Sequence, residues 1–450
     1  MRLRNALLVA SLTLLLTMMA SMFGSRPAVA HPYGIIRIQS DGTIYPQTAP
    51  VQRIGDTYFL TANVTSNDYG IDIERNNTIF DGASNTVKGA GFDWGIFVGA
   101  YNVTVKNTRV EGFGQGIMVR FKYNVVIGNC ITLNDAGVYI TQDFRNTIVG
   151  NNISDNIEGV YLSSCEENVV TGNNIGGNEV GIYLDNAWHN TISGNNIEKN
   201  ELDGIYALQG FGQWPNRIFA NNIRDNGQFG IQLDGISEGN CIYHNNFINN
   251  TSGHAFPGGW NNTWFQDYPC CGNYWSNYVG DDLHNGSYQN LTGSDGIGDS
   301  PHSIYGSLTD DYPLMGMFSS FNTSLGYSVD VVSDSTMEDF TYFESNNTVT
   351  LHVSSMTAGQ TRGFCRLTIP HVLLSPPYTI TINGTQVSYT PIFENETLSI
   401  IYFSYGHSTT EIIIIPEFSS FLTLPLFMIA TLLAATIFRR SARRRSIDGE

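Results

Sequence analysis

Basic side chains are scarce in this sequence. Twenty-two Lys and Arg face 40 Asp and Glu, a formal net charge of −18. With the two chain ends set aside the imbalance grows, to 14 basic against 37 acidic side chains. A surface of that sign repels nucleic acid and anionic lipid, which excludes both as partners of the central region. Cysteine is also sparse: the six (Cys130, Cys165, Cys241, Cys270, Cys271 and Cys365) form no C-x-x-C and no Cys/His ligand spacing, so a zinc module is excluded. Their even number allows disulfides in an oxidising compartment without fixing any pairing. Helical periodicity is missing, since nothing in Asn102–Phe247 repeats every 3.6 residues.

The two long apolar runs lie at the ends. Arg2 and Arg4, the stretch Ala6–Ala20 and the small-x-small triplet Ala28-Val29-Ala30 form a secretory signal over residues 1–30. Phe421–Phe438 carries no charge over 18 residues, and Arg439, Arg440, Arg443, Arg444 and Arg445 follow at once. That pattern predicts a transmembrane anchor at 421–438 and a cytoplasmic arginine-rich tail at 439–450. The expected location is therefore extracellular, on the cell membrane. Thirteen N-x-S/T sequons, Asn63, Asn102 and Asn152 among them, fit a surface glycoprotein. Pro416-Glu417-Phe418, with the apolar run and the arginines, resembles the PEF-type sorting signals of archaeal surface proteins. The resemblance implies release by a sortase-like peptidase, while a plain anchor explains the same run.

Between the ends an internal repeat sets the fold. The tetrapeptide Gly-apolar-x-apolar starts at Gly95, Gly116, Gly137, Gly159, Gly181, Gly204 and Gly230, in steps of 21, 21, 22, 22, 23 and 26 residues. That period matches one turn of a three-sided β-helix, so residues 31–250 are expected to form a right-handed parallel β-helix with its N-terminal cap. Three asparagine columns run through the coils: one starting at Asn124 and Asn146, one at Asn129 and Asn151, one at Asn134 and Asn156. Asparagine tolerates left-handed corners and both donates and accepts, so these columns read as structural ladders.

Residues 251–318 lose the register and are rich in aromatics and aspartate. The run Gly272-Asn273-Tyr274-Trp275-Ser276-Asn277-Tyr278, then Asp295-Gly296-Ile297-Gly298-Asp299 and Asp311-Tyr312-Pro313, follows N-x-I-x-x-N coils. This block, with Asp41-Gly42-Thr43-Ile44 and Gly55-Asp56-Thr57-Tyr58 near the start, resembles the β-helix domain of NosD-type periplasmic copper-binding proteins over about residues 34–318. The resemblance implies the fold and a copper-handling role. Asp281, Asp282, Asp295 and Asp299 supply hard oxygen ligands in glycine-containing turns and are candidates for Ca2+. Copper has a single candidate in His31, which signal cleavage exposes as an amino-terminal imidazole. Residues 325–415 read as alternating strands around turns such as Asn383-Gly384, a small β-sandwich of immunoglobulin-like type. The fold class expected is all-β, closed by the transmembrane helix.

Two chemistries compete on the coils. β-Helix enzymes acting on carbohydrates need convergent carboxylates, and Asp143, Asp185, Asp234, Glu158 and Asp203 are the available ones. They form no compact pair in the sequence register, and neither Asn-Thr-Asp with Gly-His-Gly nor Asp-Pro-His occurs. The third tetrapeptide position points outward and reads Phe97, Met118, Tyr139, Tyr161, Tyr183 and Tyr206. An aromatic strip with Asp143 and Asp185 beside it suits sugar stacking, and like-on-like pairing within a sheet suits it equally. The expectation is a non-catalytic surface protein that binds polysaccharide or other surface proteins. Its alternatives are a lyase, hydrolase or epimerase, and a copper module.

Overall fold

Each coil is assembled from three strands of two to six residues, because inward aliphatic residues alternate with outward polar ones and Asn or Gly closes every corner. A computed structural model of the chain describes residues 29–30, 35–208, 214–406 and 410–417. All regular elements among them are strands. No helix among them is long and apolar enough to cross a membrane. Most of the signal segment, His31, the apolar run 421–438 and the tail 439–450 lie outside the described residues.

The described residues fall into two compact units, residues up to Asp281 with Ser300–Leu314, and Asp282–Asp299 with the residues from Met315. The first is a right-handed parallel β-helix of three sheets with 11, 11 and 10 strands. The tetrapeptides form one sheet in strict register, Ile96 beside Ile117, then Val138, Val160, Ile182, Ile205 and Ile231. Ile148, Ile153, Val160 and Leu162 of one coil are fully buried and continue a core that runs the length of the unit. Burial of one such side chain contributes roughly 2–3 kcal/mol, but only when coils above and below cover it.

The tetrapeptide glycines have a steric cause. A Cβ on Gly159 would lie 2.5 Å from the carbonyl oxygen of Gly181, and the same holds from Gly181 to Gly204 at 2.5 Å and from Gly204 to Gly230 at 2.6 Å. Each glycine thus lies beside the backbone of the next coil, and any side chain would push the coils apart.

The asparagine columns are continuous hydrogen-bond ladders. Asn151 donates through both its backbone N–H and its Nδ2 to Oδ1 of Asn173, at 2.9 Å each, and Nδ2 also bonds the Val126 carbonyl at 2.9 Å. The pattern repeats from Asn173 to Asn195, Asn221 and Asn245. Every amide therefore faces the same way, with oxygen toward the preceding coil and nitrogen toward the next.

The second unit holds two five-stranded antiparallel sheets. One runs Met317–Asn322, Ser328–Ser333, Arg362–Pro370, Leu398–Gly406 and Thr390–Glu394, and the other is built on Ser335–Phe343, Thr348–Ser355 and Thr410–Pro416. Their inner faces share one core that includes Val331, Leu351, Leu367, Ile380, Ile401 and Ile412. The hairpin His284–Asn285 with Leu291–Thr292 belongs to this unit.

Candidate functional site

The outward position of the tetrapeptide sheet carries the candidate site. Tyr139, Tyr161, Tyr183 and Tyr206 are direct neighbours on consecutive strands. Their ring centroids are 5.0, 4.9 and 5.2 Å apart, and the Tyr161–Tyr183 pair is nearly parallel at 17°. The spacing follows from the sheet itself, since adjacent strands lie about 4.8 Å apart. Packed against one another, all four rings are half-buried. On the N-terminal side the column continues through Met118, which its neighbours cover, to Phe97.

Carboxylates border the strip. The Tyr161 hydroxyl donates to Asp185 Oδ2 at 3.1 Å, and Ser163 Oγ lies 3.5 Å from the same oxygen. Burial, then the Asp185 acceptor, pushes the Tyr161 hydroxyl far above its ordinary value, so it stays a neutral donor. Tyr183 is raised too, first by burial and then by Asp185, with Glu158 and Asp234 also acting on it. The Glu158 carboxyl is itself pushed up by burial and by the like charges of Asp135 and Glu179. Asp143 is engaged differently, its carboxylate accepting the N–H of Phe144 at 2.9 Å. Asp203 is buried and accepts the Phe229 N–H at 2.9 Å, which makes it a corner brace.

Three of the four aspartates singled out for Ca2+ accept backbone N–H bonds in this structure. Asp282 takes the N–H groups of Asp295 and Gly296, both at 2.9 Å, and burial pushes its carboxyl up to about 7. Asp299 accepts from the N–H of His284 at 3.0 Å and lies 2.8 Å from His284 Nδ1. Asp295 is fully buried, accepts the Ile297 N–H at 3.0 Å, and the Arg366 guanidinium donates to its carbonyl at 2.7 Å. Asp281 is exposed and lies in the other compact unit. Among the described residues no three His, Cys, Asp or Glu side chains gather as a metal-holding group.

The histidines are also individually committed. His244 Nε2 bonds the Cys270 carbonyl at 2.6 Å. His254 Nδ1 lies 3.4 Å from Asn250 Nδ2, and its Nε2 lies 3.2 Å from Ser276 Oγ. Copper favours several imidazole or sulfur donors around one point. The described histidines do not fit such a site, and no chemical step here runs through copper.

Three residues that end the ladders carry no repeat signal in the sequence. Asn262 closes one column by accepting from Asn240 at 2.9 Å. Asp310 closes the second, taking the N–H of Asn273 at 2.7 Å and the Trp275 indole N–H at 2.8 Å. His254 follows Asn250 at the end of the third. Proximity to Asn-rich coils is the only clue that sequence offers for Asn262 and Asn273, and nothing marks Asp310.

The family model of the periplasmic copper-binding protein NosD matches residues 51–280. A search of curated proteins finds no match. Among solved structures, the Dettilon tailspike protein is similar at 13% identity, covering 87% of either chain with a TM-score of 0.41. The A-module of an Azotobacter vinelandii mannuronan C-5 epimerase is similar at 15% identity over 54% of this chain and 92% of that one, TM-score 0.31. Pectate lyase Pel9A is similar at 16% identity over 63% and 84%, TM-score 0.37. With the repeat, the parallel coils and the matched model in agreement, this chain belongs to the family of NosD-type periplasmic copper-binding proteins.

Proposed function

We propose that this is a non-catalytic, surface-displayed β-helix that binds polysaccharide along the strip Tyr139–Tyr161–Tyr183–Tyr206. One observation carries the reading: four tyrosine rings, one per coil, pack with centroids 4.9–5.2 Å apart and Asp185 bonded beside them. Sugars pair apolar C–H groups with hydroxyls, so they match a half-buried aromatic ridge bordered by acceptors. The acidic surroundings favour a glycan without dense negative charge. In this reading export by the N-terminal signal and the C-terminal segment place the strip outside the cell, and the two-sheet unit serves as an immunoglobulin-like stalk.

A glycan array followed by titration tests it. The Tyr161→Ala/Tyr183→Ala double variant should bind at least tenfold more weakly with an unchanged far-ultraviolet spectrum. Unchanged binding by a folded double variant removes the strip from consideration.

The reading as a carbohydrate-active enzyme draws on Glu158, whose burial-raised carboxyl acts on Tyr183 and thus borders the strip. A general acid needs such a raised pKa. Product analysis of the bound glycan separates the two readings: shortened or unsaturated products that vanish in Glu158→Gln mean catalysis.

A further inference from the structure

The strip does not stop at Tyr206. Tyr206 is the register neighbour of Gln232, and Gln232 of Phe256. Phe256 in turn meets the Tyr305 ring at 5.6 Å and the Phe229 ring at 5.5 Å. Beyond Gln232 these rings open into a cavity of about 310 Å³, whose walls include Phe229, Phe256, Tyr305, His302, Asn277 and Ser252. The volume lies at the small end of ligand pockets, which run from about 300 to 1,000 Å³, and suits one ring-sized group.

The cavity differs from the rest of the surface in charge. No Asp, Glu, Lys or Arg lines it, in a chain whose net charge is −18. Its two imidazoles are neutral. The ladder fixes Asn250 with Oδ1 toward Asn226, so its Nδ2 is the group facing His254 Nδ1. Nδ1 must then accept, and the proton rests on Nε2, which donates to Ser276 Oγ. His302 stacks on Trp275 at 4.8 Å and 26°, and Trp275 stacks on Phe247 at 4.4 Å, which fixes that wall. Burial lowers the pKa of both histidines. An anionic sugar entering here would lose water and meet no cation, and an amino sugar would meet no carboxylate; either is costly to desolvate. Phe256 and Tyr305, by contrast, leave 37% and 63% of their surfaces open.

We infer that this cavity is the terminal subsite of the tyrosine strip and holds a single neutral pyranose at one end of the bound glycan. The assignment rests on the glycan-binding reading of the strip. Phe256 and Tyr305 supply faces for the sugar's C–H side, and Asn277 and Ser252 supply hydrogen-bond partners for its hydroxyls.

The test uses the full chain on an array of glycans ending in neutral, uronate or amino sugars, followed by titration of the tightest one. Neutral-ended glycans should be selected, and Tyr305→Ala and Asn277→Trp, both at exposed positions, should each weaken binding at least tenfold. Selection of uronate or amino ends overturns the subsite. So does full binding by both cavity variants while Tyr161→Ala/Tyr183→Ala loses it, and in that case the strip reading stands. If no glycan binds, or the strip variant binds like the parent, strip and subsite fall together.

Discussion

The backbone N–H and the side-chain amide of Asn273 both point at one carboxylate oxygen of Asp310, at 2.7 and 3.4 Å. The same oxygen accepts the Trp275 indole N–H, and the other accepts the Tyr312 N–H at 3.1 Å. A ladder of neutral amides, all oriented alike, thus ends on a carboxyl group that only accepts. Burial pushes that carboxyl up to about 7 against the N–H donors that favour the anion.

Replacing Asp310 with alanine removes the acceptor of two buried donors, the Asn273 N–H and the Trp275 indole N–H. Each loss costs about 1–3 kcal/mol, so Asp310→Ala should destabilise the β-helix by at least about 2 kcal/mol. Asp310→Asn should cost less, because it keeps one acceptor but turns an NH2 toward a donor. Urea unfolding followed by Trp275 fluorescence measures both, and equal stability of the two variants would contradict the terminator role.

Acid should act on the other ladder end with the opposite sign. His254 is lowered from 6.5 to about 4, first by burial and then by His302. The unfolded chain therefore takes up the proton first, and this group's contribution is lost as pH falls from about 6.5 to 4, on the order of 3 kcal/mol. Asp310, raised from 3.8 to about 7, contributes most at low pH and loses that contribution as pH rises toward 7. His254→Asn removes only the first effect. Its stability at pH 4.5 relative to pH 7 should exceed the parent's, and identical pH profiles from urea unfolding would refute the assignment.

Neighbouring asparagines should differ sharply. Asn173 is buried, accepts two bonds from Asn151 and donates through Nδ2 to Ile148, Thr171 and Asn195. Asn174 is exposed and joins a surface row with Asn152 and Asn196. Asn173→Ala should cost about 3 kcal/mol and Asn174→Ala less than about 1 kcal/mol. Calorimetric melting of the two single variants reads the difference.

Glycine and alanine should exchange with opposite outcomes in a strand and at a corner. Gly159→Ala places a methyl against the Gly181 carbonyl and should destabilise by several kcal/mol, of order 2–4. At one corner Gly150, Gly172 and Gly194 hold positive φ, and Ala220 occupies the same place with φ of 57°. A side chain in that region costs about 1 kcal/mol, so Ala220→Gly should stabilise by up to about 1 kcal/mol. A fall in melting temperature for Ala220→Gly would count against the corner assignment.

The coils were legible because their constraints recur. One glycine per coil meets one carbonyl, and one asparagine per corner meets the next, so the period itself writes the fold into the text. Tyr161 and Asp185 could be placed together for the same reason, as a tetrapeptide tyrosine and the residue just past the next coil's tetrapeptide. The bond that Asp143 accepts from the next residue's N–H was not legible, because such a contact leaves no trace in a repeat. Asp310 was invisible since it reaches Asn273 across 37 residues of irregular chain. Asp282, Asp295 and Asp299 read as Ca2+ candidates because turn acceptors and cation ligands draw on the same oxygen chemistry, and the N–H groups they accept from are not legible in the sequence.

The uniform direction of the ladders has one more consequence. Any middle turn presents the same chemistry above and below, so whole turns are interchangeable and the rod could be lengthened or shortened by 22 residues without creating a mismatched junction, as from Asn151 to Asn173 to Asn195. The stop of each column is a single irreplaceable piece. Natural variation in reach is therefore expected inside the rod, with Asn262, Asp310 and His254 held constant at its end.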